Sequence, residues 1–464
     1  MEFPRSLMVS VSGVRGRVGA PLTPEIVVRF ATAYGAWVRQ TAGARPTVLI
    51  ARDSRTSGPM YVRAAISALQ SVGCDVIDLG LAPTPTALYA IRHHGAAGAI
   101  VITASHNPVE WNALKLATAD GMFLDDSQAA TMRGYLDGPG VEYAGWDELG
   151  DVAVDPDAVQ RHLDAVLALP YVDVDGLRAR RFRVALDCVH GAGGAMLPRL
   201  LEALGCEVHG IGLEMDGRFP REPEPVAANL GELAALVRET GADVGLATDP
   251  DADRLALVSD AGRAIGEDYT LAFACTLVLR HRQGPVVTNL STSRVVEDAA
   301  LAAGVPFVRA PVGEINVARR MQRESAVIGG EGNGGVILPD LQHTRDSAVA
   351  AALVLQLMLE TGEAPSELVA RREAYAIVKE KLPRDAGDLE STYDALAARL
   401  AAPTVDRQDG LWLGWPAERK WVHLRPSGTE PIIRMIAEAP TEEDARALVE
   451  QMRQSLAGAG AAAG

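Results

Sequence analysis

The sequence predicts an α/β protein made of three related α/β domains with parallel or mixed sheets, followed by a separate α+β domain. Three observations predict this. A helix-like segment that closes on glycine and runs into an apolar strand recurs three times: Ser67 through Gly73 to Ile77, Leu200 through Gly205 to Val208, and Ala299 through Gly304 to Val308. Glycine suits the left-handed position that ends a helix. Each copy follows an apolar strand ending in polar residues, namely Thr47–Asp53, Arg183–Asp187 and Pro285–Asn289. Continuous apolar runs are the mark of strands covered on both faces. The final stretch breaks the pattern. Lys420–Leu424 and Ile432–Ala437 read as paired strands around a short loop, and Thr441-Glu442-Glu443-Asp444 opens a helix running to about Leu456. The Ala- and Gly-rich tail beyond it is expected to fray. Boundaries near 155, 260 and 370 divide the chain into 1–155, 156–260, 261–370 and 371–464.

The 464 residues are 48% hydrophobic, enough for sizeable cores. No apolar run approaches a membrane span, and the N-terminus lacks a basic segment leading into an apolar one. We therefore expect a cytoplasmic protein without a membrane partner. The formal net charge of -16 argues against nucleic acid. It leaves anionic small molecules open, because a few arginines make a local positive pocket. Cys74, Cys188, Cys206 and Cys275 are widely spaced and read as small buried hydrophobes.

Four loops carry chemistry. Ser105 stands in Ile102–Pro108, just beyond the strand Ala99–Ile102, where α/β sheets place ligands. A plain Ser/Asn/Pro turn is the alternative. Asp249, Asp251 and Asp253 alternate in one short loop after Val244–Ala247. Their mutual repulsion calls for a cation. Oxygen donors suit magnesium or calcium, with magnesium favoured if a phosphate completes the ligand set. A solvated acidic turn is the alternative. Gly329–Gly335 lets a ligand approach the backbone, and Glu331 and Asn333 offer groups that grip sugar hydroxyls, although on its own such a stretch reads first as a plain glycine-rich turn. Arg425–Pro431, with Arg434 beyond it, gathers hydroxyls, turn amides and two arginines into an anion cradle; a plain hairpin loop is the alternative. An N-terminal turn adds Arg15 as an active-site cation, while Asp53 and Arg55 read as a structural ion pair nearby.

Together these loops resemble the α-D-phosphohexomutase superfamily, which includes phosphoglucosamine mutases, phosphomannomutases and phosphoglucomutases. Six segments match in order across nearly the whole chain: 12–16, 52–55, 103–108, 249–254, 330–335 and 425–431. The resemblance implies four domains around a central cleft, the fourth similar to the TATA-binding protein. It implies that Ser105 carries a phosphoryl group. It also implies that Ser105, Asp249, Asp251 and Asp253 hold Mg²⁺. A hexose 1,6-bisphosphate would form and turn over as a hexose 6-phosphate becomes a 1-phosphate. Arg15 and Arg254 would supply positive charge, with His106 at the catalytic serine and Lys115 as an acid/base. Glu331, Asn333, His343 and Arg345 would meet the sugar; Arg425, Ser427, Gly428, Thr429 and Arg434 would hold the distal phosphate.

Two departures stand out. Asn112-Ala113-Leu114-Lys115 replaces the family's Asn-Gly-x-Lys. Asn333 and Gly335 stand where many members have serine and histidine, and His343 is the substitute base nearest in sequence. The Gly-Glu-Gly-Asn-Gly-Gly form points to glucosamine phosphate as substrate, with mannose or glucose phosphate as the alternative. A sugar phosphatase using the same serine is a rival, as is a sensor that binds without catalysis. The chain is expected as a monomer or homodimer.

Overall fold

In the computed structural model the chain is described over residues 3–4, 6–11, 13–137, 140–383, 389–426 and 432–462. The recurring sequence pattern becomes a recurring hydrogen-bond pattern. At the end of each repeat helix, the glycine adopts a left-handed φ of +76°, +74° or +70° (Gly73, Gly205, Gly304). The next amide then reaches back to the helix: Cys74 N to Leu69 O, Cys206 N to Leu201 O, and Val305 N to Ala300 O, at 3.0, 2.9 and 3.1 Å. This closure turns the chain from helix into strand three times in the same way.

The sheets repeat as well. The second sheet runs in the order Leu255–Ser259, Val244–Thr248, Arg183–Asp187, Glu207–Ile211. The third contains Gly335–Ile337, Ile328–Glu331, Val286–Asn289 and Phe307–Ala310 in the equivalent order. The first has Trp111–Thr118, Gly98–Ile102, Thr47–Arg52 and Asp75–Leu81 in that order at its centre. In all three, the first, second and third strands of the unit are parallel, and the fourth returns antiparallel beside the third. The first sheet is widened to seven strands by the hairpin Met8–Ser10/Gly13–Arg17 on one side and Val152–Val154 on the other.

A single apolar core joins the three units, running from Leu49 and Val101 through Leu186 and Leu246 to Leu353. Its centre is the helix Ser347–Thr361, apolar around its circumference as a helix buried between layers must be. Asp346 caps it, accepting from Ala348 N and Val349 N at 3.0 and 3.3 Å. A separate core fills the other face of the first sheet.

The last unit differs. Its five strands, with Ile432–Ala439 between Ala376–Pro383 and Lys420–Pro426, are all antiparallel. Leu389–Leu400 and Glu442–Ala462 cover one face. Thr441 Oγ1 caps the second helix by accepting from Asp444 N at 3.1 Å. This helix does not stop near Leu456 but continues to Ala462, in keeping with the helix preference of alanine. The unit docks on the third through buried Glu438, which accepts from Arg294 N at 2.9 Å and from Trp421 Nε1 at 2.5 Å. No helix among the described residues is long and apolar enough to cross a membrane. Cys74, Cys188 and Cys275 are buried and Cys206 partly so; burial raises all four thiol pKa values.

Candidate active site

Three of the four loops singled out in the sequence occupy the same topological position. Each joins the third strand of its unit to the antiparallel fourth: Thr103–Glu110, Asp249–Arg254, and the turn after Glu331. Internal repetition thus delivers three loops to one region.

The Ser105 loop is held from beneath by Arg55. This fully buried guanidinium donates to four backbone carbonyls, those of Ser105, Asn107, Pro108 and Trp111, at 2.6, 2.7, 2.7 and 3.1 Å. Asp53 balances the charge at 3.0 Å and also accepts from Thr103 Oγ1 at 2.6 Å. Ser105 is forced to φ +50°, rare for a side-chain-bearing residue, and its N–H donates to Thr103 Oγ1 at 2.9 Å. Its hydroxyl is thereby aimed at Asp249 Oδ2, 2.8 Å away. His106 Nδ1 lies 3.4 Å from Ser105 Oγ. Burial, reinforced by Arg254 and Arg15, pushes that imidazole down to about 2, so it is neutral.

The three aspartates converge because Ala252 adopts φ +54°, which folds the loop over itself. Ser347 Oγ donates to Ala252 O at 2.7 Å and holds the turn. One carboxylate oxygen from each of Asp249, Asp251 and Asp253 falls within 4.8 Å of the others, and all three residues are buried. Burial, with Asp253 and Asp251 adding to it, pushes Asp249 well above the usual carboxylate range. Burial acts the same way on Asp251, but Lys115 and Thr84 overcome it and hold that carboxyl below its ordinary value. Lys115 Nζ and Thr84 Oγ1 each donate to Asp251 Oδ2 at 2.7 Å. Burial alone lowers the Lys115 pKa; Asp251 and Asp253 reverse this, and the amine stays charged. Two buried oxygens, Asp251 Oδ1 and Asp253 Oδ1, have no hydrogen-bond donor. An all-oxygen set with unsatisfied buried acceptors is what a hard divalent cation requires, so the residues fit a metal ion.

The cations divide. Arg15 Nη1 donates to Asn107 Oδ1 at 2.5 Å. Arg254 donates to Glu224 at 3.3 Å and passes Asp253 and Asp249 at 3.8 and 3.9 Å. Glu331 is buried, with Oε1 accepting from Asn289 Nδ2 at 2.8 Å and Gly313 N at 3.2 Å, and Oε2 accepting from Arg345 at 2.9 Å. Asn333 Oδ1 accepts from Gly335 N at 3.3 Å. Arg345, expected at the sugar, directs its donors to carboxylates of the protein. His343 lies apart, half-buried near Arg92, Asp120 and Arg319. In the last unit, Arg425 and Arg434 face each other across paired strands, and Lys381 is the partner of Arg434 on its other side. Three cations thus form one row on one sheet face. Arg425 is also 3.0 Å from Asp409, which accepts from Val312 N at 3.1 Å. Ser427, Gly428 and Thr429 lie outside the described residues.

Thr84, Glu314 and Lys381 were missed in the sequence. Thr84 stands between two prolines and Lys381 in a strand of mixed charge, with nothing to distinguish either. Asn289 was marked only as the polar end of a repeat strand, and that signal, taken further, points to it.

Family comparisons agree with this architecture. The α/β/α domain I, II and III models of phosphoglucomutase/phosphomannomutase match residues 7–137, 160–262 and 266–375, and the C-terminal domain model matches 373–455. A Thermococcus kodakarensis protein named phosphoglucomutase/phosphomannomutase is 38% identical, over 94% of this chain and 96% of its own. A Methanopyrus kandleri probable phosphoglucosamine mutase is 37% identical over 95% of each. A solved family protein from Burkholderia thailandensis superposes with a TM-score of 0.86 at 24% identity, covering 99% of this chain and 98% of the other. With four domain models matched in order and relatives alike over their whole length, the chain belongs to the phosphoglucomutase/phosphomannomutase family and is a phosphohexomutase.

Proposed function

We propose that this enzyme interconverts hexose 6-phosphate and hexose 1-phosphate through a phosphorylated Ser105, with glucosamine phosphate as its preferred sugar. The observation that carries the reading is the Ser105 hydroxyl at 2.8 Å from Asp249, inside a buried aspartate triad with two unpartnered oxygens. Mere binding of a sugar phosphate needs neither the hydroxyl nor the triad. Asp249, Asp251 and Asp253 would hold Mg²⁺, with Ser105 beside them. The bound ion would supply charge neutralisation for the transferring phosphoryl group.

In the forward direction a sugar hydroxyl oxygen bonds to phosphorus as the bond from phosphorus to Ser105 Oγ breaks. The proton lost by the sugar hydroxyl is balanced by one gained at Ser105 Oγ, which is freed as a hydroxyl, and a hexose 1,6-bisphosphate results. After the bisphosphate turns over, Ser105 Oγ takes back the other phosphoryl group. Arg15 and Arg254 face the transferring group, and His106 borders it. Lys115, pinned between Asp251 and Asp253, holds a proton at Nζ that it can lend to the reaction as acid. Glu331 and Asn333 present the sugar loop, with Arg345 behind it and His343 set apart. Arg425 and Arg434, with Ser427, Gly428 and Thr429, would clamp the phosphate that stays. Each unit, 1–155, 156–260, 261–370 and 371–464, contributes one loop to a cytoplasmic enzyme acting on small sugar phosphates. The relative named phosphoglucomutase/phosphomannomutase favours glucose or mannose phosphate as a second reading.

Turnover of glucosamine, mannose and glucose 6-phosphates should be compared, with phosphate release followed in parallel and Ser105 mapped by mass. Isomerised product without free phosphate, a single phosphate at Ser105, and inactive Ser105→Ala are expected. Phosphate release without isomerisation would identify a phosphatase. Full activity in Ser105→Ala would overturn the mechanism.

A further inference from the structure

Arg345 has an arrangement that sugar binding alone does not explain. Its guanidinium donates to Asp253 Oδ2 at 2.6 Å and to Glu331 Oε2 at 2.9 Å, and its Nε faces Glu314 Oε2 at 3.3 Å. The three carboxylates come from three places: the loop after Val244–Thr248, the end of Ile328–Glu331, and the first turn of Glu314–Glu324. The side chain is only 8% exposed. A buried guanidinium with three carboxylate neighbours is fixed in orientation by its planar fork. Its backbone is fixed too. Arg345 N donates to Glu314 Oε1 at 3.0 Å, and Arg345 bridges to Ile337 beside the sugar hairpin.

Room for this side chain comes from Gly335. A Cβ at that position would overlap Arg345 Cδ and lie 2.8 Å from Cγ. The overlapped atom is mid-chain, and the head beyond it is pinned, so it cannot swing aside. Gly335 and Arg345 therefore form one unit: the glycine leaves a channel and the arginine fills it on its way to Asp253.

We propose that Arg345 is a positioning residue that ties the metal loop to the sugar loop, with Gly335 providing its passage. By engaging Asp253 Oδ2, it turns the unpartnered Oδ1 toward the cation position. By engaging Glu331 Oε2, it fixes the sugar loop in the same frame. Cation and sugar affinity then share one determinant, and a change at Arg345 or Gly335 moves both. The inference rests on the metal and sugar roles proposed above for the two loops.

The test is Mn²⁺ binding to the purified full chain, measured calorimetrically without substrate, beside steady-state kinetics. Arg345→Lys keeps the charge but loses the fork. Gly335→Ala keeps every polar group and blocks the channel. In each variant Mn²⁺ affinity should fall about tenfold or more, the usual scale for a group that orients a metal ligand. KM for the sugar phosphate should rise in parallel, with wild-type circular dichroism. If Arg345→Lys binds Mn²⁺ within twofold of wild type and only KM changes, Arg345 is a sugar contact and the inference fails. An unaltered Gly335→Ala would also refute it. Wild type that binds Mn²⁺ but isomerises no hexose phosphate overturns the proposed function alone, and the Mn²⁺ titrations then decide the inference. Wild type that binds no Mn²⁺ overturns the metal assignment and the inference together.

Discussion

Arg55 and Arg345 are both buried guanidiniums beside the site, yet their partners differ in kind. Arg55 reaches four carbonyl oxygens in and just beyond the Ser105 loop and one aspartate, all within the first unit. Arg345 reaches only carboxylates, on loops of two units. Carbonyls carry no net charge, so Arg55 shapes a loop and leaves its charge to Asp53. Carboxylates repel one another, so Arg345 holds together groups that otherwise separate. The first arrangement makes a rigid loop around Ser105; the second joins one unit to the next.

The largest expected effect breaks the Arg55 side. Arg55→Leu strands Asp53 as a buried unpaired charge, a change that costs about 3–5 kcal/mol. Chemical denaturation should show that loss, together with the disappearance of activity. Survival of both would mean that the carbonyl contacts are incidental. Next comes the metal. Mg²⁺ at about one hundred times its Kd should stabilise the protein by about 2.7 kcal/mol. The increment appears as a rise in Tm that chelator removes, and it should shrink in Arg345→Lys. A melting curve indifferent to Mg²⁺ would contradict the fit of the aspartate triad.

The row of cations in the last unit is a third case, resembling neither arginine. Arg425→Ala should remove about 1.5–3 kcal/mol of transition-state binding, or roughly tenfold to a hundredfold in kcat/KM for 1-phosphate and 6-phosphate alike. Lys381→Ala, on an exposed strand position, should cost less than Arg425→Ala. Equal kinetics for wild type and Arg425→Ala would remove the clamp.

The smallest effect concerns pH. Burial, with Glu438 adding to it, pushes Asp268 up to about 7 from an ordinary 3.8. The folded state therefore binds a proton more readily than the unfolded one. Its stability relative to Asp268→Asn is highest below about pH 4, declines as pH rises through 7, and then levels off. The Tm of Asp268→Asn minus that of wild type should increase between pH 5 and 8. A constant difference would place the titration elsewhere.

Much of this was legible in the sequence because repetition and local chemistry write themselves into short segments. Gly73, Gly205 and Gly304 announced three equivalent helix ends. The alternating aspartates announced a cation site, and Ser105 stood beyond a strand where ligands gather. Contacts between distant segments left no such trace. Arg55 looked like half of an ion pair, because nothing at 52–55 says that its other donors meet carbonyls around residue 107. Arg345 looked like a sugar ligand for the same reason: its partners at 253, 314 and 331 are brought together only when the second and third units pack. The C-terminal helix was drawn short because its alanines read as a tail, although alanine favours helix.

Lys115 has a consequence for synthesis on the ribosome. It belongs to the first sheet, yet its partner Asp251 follows 136 residues later. At about 5–20 residues per second, the lysine emerges roughly 7 to 27 s before the aspartate. During that interval the charged amine has no counter-ion and is left to solvent, because the aspartates that close over it are not yet made. The face of the nascent first unit around Lys115 is therefore expected to stay open to solvent until the aspartate loop clears the exit tunnel. Stalled chains ending before residue 249 should be more sensitive to protease around 98–118 than chains released after it.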